Sequence, residues 1–149
     1  MTKENILALL PYQRPFLFVD EIVEVTGEGA VGSFTFDREL DFYQGHFKDN
    51  PVTPGVILTE CCAQIGLVCL GIFLLGIDNE RPNQLQIGLS STQMDFLLPV
   101  YPGEKVMVRS VKEYFRFNKL KCQVTMYNER SQLVCKGAIS GMLKSTAHG

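Results

Sequence analysis

From Val56 to Leu75 the chain runs for twenty residues that are nearly all apolar, interrupted only by Glu60 and Gln64. A stretch of that length either crosses a bilayer or forms a helix buried on every side by its own protein. The flanks carry no basic anchors and the rest of the chain reads as soluble strands, so the expectation is a core helix and no membrane span. Thr53 is a suitable N-cap and Pro54 suits the first helical position, where its missing N–H costs nothing. The helix should end near Gly76.

The surrounding pattern is strand-rich. An opening amphipathic helix, "TKENILALL", has Thr2 as its cap and stops at Pro11. Strands are expected over Phe16–Val25, Ala30–Phe36, Gln84–Phe96, Lys105–Phe117, Lys119–Tyr127 and Gln132–Leu143, separated by Gly-, Pro- and Asn-rich turns. One long apolar helix and about six mostly sequential strands imply an α+β class, an antiparallel sheet wrapped around the helix. A chain of 149 residues with no linker or repeat is read as one domain, 1–149. A net charge of −2 gives no polybasic signature, so nucleic acid is not an expected partner. The N-terminus lacks a signal peptide's apolar segment. Five cysteines without metal or disulfide spacing suggest reduced thiols packed in a cytoplasmic protein.

The chemistry concentrates in "GHFKDNPVTPGVILTECCAQIG", Gly45 to Gly66. Glu60 is the only charged residue between Asp49 and Asp78, and Gln64 lies one turn further along the same face. An unpaired buried carboxylate is expensive, so Glu60 must be partnered, neutral or facing a cavity. Apolar surroundings raise its pKa and suit it to act as a general acid. His46, fourteen residues earlier and the only histidine away from the C-terminus, is the natural base. The first-turn amides of Gly55 and Val56 have no intrahelical partner and favour an oxygen that gains negative charge. A base, an acid and an oxyanion site suit proton abstraction beside a carbonyl with loss of a leaving group at the next carbon. Taken singly, His46 and the Glu60–Gln64 pair read more often as structural residues than as catalytic ones. Phe42, Phe47 and Phe96 read as core rather than gate. Lys48, Arg81, Lys105, Lys112, Arg116, Lys119 and Lys121 read as solvated charges, and Gly66, Gly71 and Gly76 as close-packing positions.

"GHF" followed by "PVTPGVILTECCAQ" resembles the signature of the FabZ-type (3R)-hydroxyacyl-acyl carrier protein dehydratases, hotdog-fold enzymes. "ILALLPYQRPFLFVDEIVEV" and "FLLPVYPGEKV" are similar to two further elements of that family, so the resemblance spans nearly the whole chain. It implies a hotdog fold. His46 is then the base and Glu60 the acid, the Gly55 and Val56 amides hold the thioester carbonyl, and Gln64 supports the carboxylate. The substrate is a 3-hydroxyacyl group on the phosphopantetheine of an acyl carrier protein, with no metal or redox cofactor. The pathway is fatty-acid, polyketide or aryl-polyene synthesis, and the assembly a homodimer, a trimer of dimers or a heterodimer with a related subunit. The chain departs from the family at Tyr12 (usually histidine), Lys48 (proline), Asn50 (arginine), Leu97–Leu98 (a basic pair) and Glu104 (aspartate). None of these replaces His46 or Glu60. Two alternatives stay open: a hotdog thioesterase, and a non-catalytic acyl-binding subunit.

Overall fold

The computed structural model describes residues 2–76 and 85–145. The central helix, Gly55–Leu75, is apolar enough by length and composition to cross a membrane, yet 72% of its apolar window is buried inside the protein. A six-stranded antiparallel sheet curls around it in the order β1-β2-β4-β5-β6-β3. The strands are β1 (Glu21–Thr26), β2 (Gly29–Thr35), β3 (Leu85–Phe96), β4 (Lys105–Arg116), β5 (Lys119–Tyr127) and β6 (Leu133–Ser145). Strand periodicity explains the wrapping. In β4, buried Val106, Val108 and Ser110 alternate with exposed Lys105, Met107, Arg109 and Val111. The inward residues of β4, β5 and β6 pack on fully buried Ile65, Leu67, Leu70 and Ile72 of the helix. The sheet and the buried helix together are the expected α+β hotdog arrangement.

The helix has three sections: α2 (Gly55–Cys62), a wider π-type stretch (Ala63–Val68) and α3 (Cys69–Leu75). Every residue of the π-type stretch is buried. Its Gly66 has no room for a side chain, since a Cβ there would lie 3.0 Å from Ser110 and Val124 of β4 and β5. At Gly71 a Cβ would collide with Leu143 of β6. Gly76 serves differently from Gly66 and Gly71: it ends the helix in the left-handed conformation, φ 61°, with open space around it. The opening helix α1 (Lys3–Leu9) is capped by Thr2, whose hydroxyl accepts from the Asn5 N–H at 3.1 Å.

Several expectations need correction. Pro54 is itself the cap and Gly55 the first helical residue. Thr53 is not the cap, because its hydroxyl bonds the Tyr43 hydroxyl at 2.5 Å beneath the His46 loop. The first strand begins at Glu21 rather than Phe16, because Phe16 and Phe18 are anchored to the helix by a side chain instead of to a neighbouring strand. Phe47 and Phe96 are 58% and 50% exposed, not core. Gln84 and Arg81 lie outside the described residues. All five cysteines are free and buried.

Candidate active site

Gln64 organises the site. It is fully buried and both ends of its amide are used. Its Oε1 accepts from the Phe18 N–H at 2.7 Å, and its Nε2 donates to the Phe16 carbonyl at 2.9 Å and to Glu60 Oε2 at 3.0 Å. One side chain therefore clamps the segment before β1 to the helix and fixes one carboxylate oxygen of Glu60. Burial raises the Glu60 pKa, and the Gln64 hydrogen bond offsets part of that rise. Tyr12, the departure from the family pattern, lies within electrostatic reach of this carboxylate. Its phenol pKa is raised by burial and then by the Glu60 charge, and its ring packs 6.3 Å from that of Phe16.

Glu60 lines a groove of about 580 Å³ with Gly55, Val56, Thr59 and the β3 residues Leu89, Thr92, Met94 and Phe96. The β3 residues are the part of the site that sequence reasoning missed, although the alternation of Thr92, Met94 and Phe96 marks one face of a strand. The Phe96 ring lies over the start of the helix, 3.3 Å from where a Gly55 Cβ would stand, so a side chain there would push the ring aside. The Gly55 and Val56 N–H groups bond to no acceptor among the described residues. The first amides to find a partner are Ile57 and Leu58, both on the Pro54 carbonyl. The groove thus combines two free amides at the positive end of a helix with a carboxyl group one and a half turns away.

His46 sits in a loop that follows a short 3-10 turn, Asp41–Gln44. The loop is clamped twice: the Val52 N–H donates to the His46 carbonyl at 2.8 Å, and His46 Nδ1 pairs with the Val52 carbonyl at 2.9 Å. A carbonyl can only accept, so Nδ1 carries the proton and Nε2 is left with its lone pair free. The imidazole is half-buried and stacks on the Phe47 ring at 4.1 Å. Within the chain His46 is not among the residues lining the groove of Glu60. Gly55, Val56 and Glu60 thus share one groove, Gln64 is bonded to Glu60, and His46 is not part of the groove's lining. Among the described residues no cluster of His, Cys, Asp and Glu gathers as metal ligands would.

Comparison with known proteins assigns the family and the fold. Residues 10–139 match the FabA-like domain family. A protein of Roseiflexus sp., "3-hydroxyacyl-[acyl-carrier-protein] dehydratase FabZ", is 31% identical over 97% of this chain and 98% of its own length. One of the same name from Geobacter metallireducens is 36% identical over 70% of this chain and 68% of that protein. Among solved structures, the dehydratase heterocomplex ApeI:P from Xenorhabdus doucetiae superposes with a TM-score of 0.76 at 10% identity, covering 99% of this chain and 94% of that one. A thioesterase from Pseudomonas aeruginosa gives 0.66 at 11% identity, covering 97% and 95%. These two likenesses speak to the shared fold alone, and the sequence matches carry the finer assignment: the chain belongs to the FabA-like family of hotdog proteins.

Proposed function

We propose that the protein is a 3-hydroxyacyl-[acyl carrier protein] dehydratase, converting the (3R)-hydroxyacyl thioester to the trans-2-enoyl thioester and water. The observation that carries this reading is the groove itself. A carboxyl group biased toward its protonated form by burial faces the same space as two unpaired helix N-terminal amides. In the proposed reaction the thioester oxygen rests on the Gly55 and Val56 N–H groups, which acidifies the adjacent C–H. Nε2 of His46 takes that proton. The electron pair forms the new double bond as the C–O bond breaks, and Glu60 protonates the departing hydroxyl as water. Gln64 keeps Glu60 aimed into the groove. The C–H and C–O bonds that break are balanced by the new C=C bond and the water released, with no net oxidation or reduction, so the step itself calls for no redox cofactor.

His46 must then come from another chain. Support lies in β3, a twelve-residue edge strand whose outer rim pairs with no other strand among the described residues, with exposed Leu89 and Phe96. A long open edge with apolar side chains calls for a partner strand. A second copy pairing along β3 would extend the sheet across both chains and bring its His46 loop to this groove. A homodimer is the smallest assembly that completes the site. Trimers of dimers, or pairing with a related subunit, use the same edge. The carrier protein is the delivery partner, the compartment is the cytoplasm, and residues 1–149 act as one domain.

The test is incubation with a panel of 3-hydroxyacyl carrier proteins read by intact mass. Loss of one water with no free thiol is the expected result. Release of thiol marks a thioesterase, and binding without mass change marks a non-catalytic subunit; either refutes the dehydratase reading.

A further inference from the structure

Charge is segregated along this chain. Residues 105–145 hold nine Lys or Arg and only two acids, Glu113 and Glu129, whereas residues 1–60 hold ten acids and four Lys or Arg. The basic segment is β4, β5 and β6, which are adjacent in the sheet. Strand alternation sends Lys105 and Arg109 to the face turned away from the helix.

The cations crowd most closely at the β4–β5 turn. Arg116 stands directly opposite Lys119, and Lys119 opposite Met142 of β6, two residues from exposed Lys144. Like charges facing each other across strands are unfavourable. Among the described residues, Lys121 alone of these has a carboxylate partner, Glu113 at 3.4 Å. At the apex Phe117 is 91% exposed, and it and Asn118 adopt left-handed backbone conformations, φ 51° and 63°. A two-residue turn of this kind favours Asn or Gly at both places, and a bulky aromatic there is strained. An aromatic ring held in solvent by a strained turn, beside Lys119 and an Arg116 whose guanidinium lies 4.4 Å over the Tyr114 ring, is a local arrangement that folding alone does not favour.

We infer that this hairpin tip, with Phe117 as an aromatic anchor, is the docking surface for the acidic carrier protein that delivers the acyl thioester. The inference rests on the dehydratase reading for the partner's identity. The chemistry of the patch selects a compact acidic protein with an apolar socket. It is small, centred on one aromatic, and surrounded by a chain that is acidic elsewhere, which disfavours long polyanions and charged lipid sheets. It also supplies the charge complementarity that exposed Leu97 and Leu98 do not.

Two variants test it. Phe117→Asn suits the left-handed turn and should melt no lower than wild type, while Lys119→Glu reverses one charge. Each should lower kcat/KM for a 3-hydroxyacyl group on a bacterial holo-acyl carrier protein about tenfold or more, through KM. Neither should change kcat/KM for the same acyl group on N-acetylcysteamine. Raising salt from roughly 50 to 500 mM should erode the wild-type preference for the carrier-borne substrate. Equal loss on both substrates, or no loss on either, overturns the proposal. Unchanged carrier kinetics with lost binding to phosphatidylglycerol vesicles or duplex DNA also overturns it, assigning the patch to that polyanion. If wild type dehydrates neither substrate, the dehydratase reading fails instead. Docking is still read by fluorescence anisotropy of labelled holo-carrier: a Kd raised about tenfold by Phe117→Asn supports it, and an unchanged Kd overturns it.

Discussion

Replacing Gln64 with Leu should separate the structural and chemical roles of the clamp. Leucine fills most of the space, so no sizeable cavity forms, but three hydrogen bonds are lost. The Phe18 N–H dominates the loss, because Phe18 is 1% exposed and water cannot replace the acceptor. A buried donor left unpaired costs about 1–3 kcal/mol. The Phe16 carbonyl belongs to a residue 47% exposed and Glu60 is half-buried, so water partly replaces their lost donor and they add less. The total is about 2–4 kcal/mol, a fall in Tm of about 5–15 °C for a chain of this size. The second readout is chemical. Gln64 lowers a Glu60 pKa that burial has raised. Without the donor the pKa rises further, so the alkaline limb of the kcat profile, set by loss of the general acid's proton, moves to higher pH even as kcat falls. Differential scanning calorimetry and a pH–rate profile measure the two effects. A variant within about 0.5 kcal/mol of wild type would refute the stability argument. An alkaline limb that stays put or moves down would refute the placement of Glu60 as the acid.

Four further outcomes are expected. His46→Ala and Glu60→Gln each lower turnover by about 10²–10⁴-fold with the fold intact by circular dichroism. Mixing the two inactive proteins restores about a quarter of wild-type sites if the site is shared between chains, and nothing if each chain builds its own. Glu60→Gln should also stabilise the protein at neutral pH. A carboxyl whose pKa is raised by folding favours the native state below its unfolded pKa, and that advantage disappears as pH rises through the folded value. The neutral amide removes this penalty, so its melting temperature should exceed that of wild type at pH 7 and approach it near pH 4; a lower value at pH 7 counts against Glu60 being held against its charge. Finally, Gly66→Ala places a methyl 3.0 Å from two strands, and overpacking should cost about 1–3 kcal/mol by urea unfolding; a neutral result would mean the sheet yields more easily than its packing implies.

The sequence alone determined the parts governed by local periodicity and local chemistry. Twenty nearly all apolar residues without basic flanks pointed to a buried core helix, and the Glu60–Gln64 spacing put both side chains on one face. Thr2 and Gly76 marked helix ends because a cap acts on neighbouring backbone groups. Turn residues placed the strands to within a few positions, except the first, which the Gln64 clamp delays until Glu21. Tertiary structure decided everything that depends on contacts between distant residues. Gln64 bonds the Phe18 amide forty-six positions away, and no short-range pattern encodes that pair. β3 pairs with β6 at the end of the strand order, and as an edge strand it leaves Phe96 exposed and forms one wall of the Glu60 groove. Tyr12 comes near Glu60, and Thr53 leaves its expected cap for Tyr43, for the same reason: each finds a partner that only the folded sheet supplies. His46 is the sharpest case. Its loop and its Nδ1 bond are local, yet its relation to the groove follows from the path of the whole chain, so spacing alone named the pair without showing how the two residues meet.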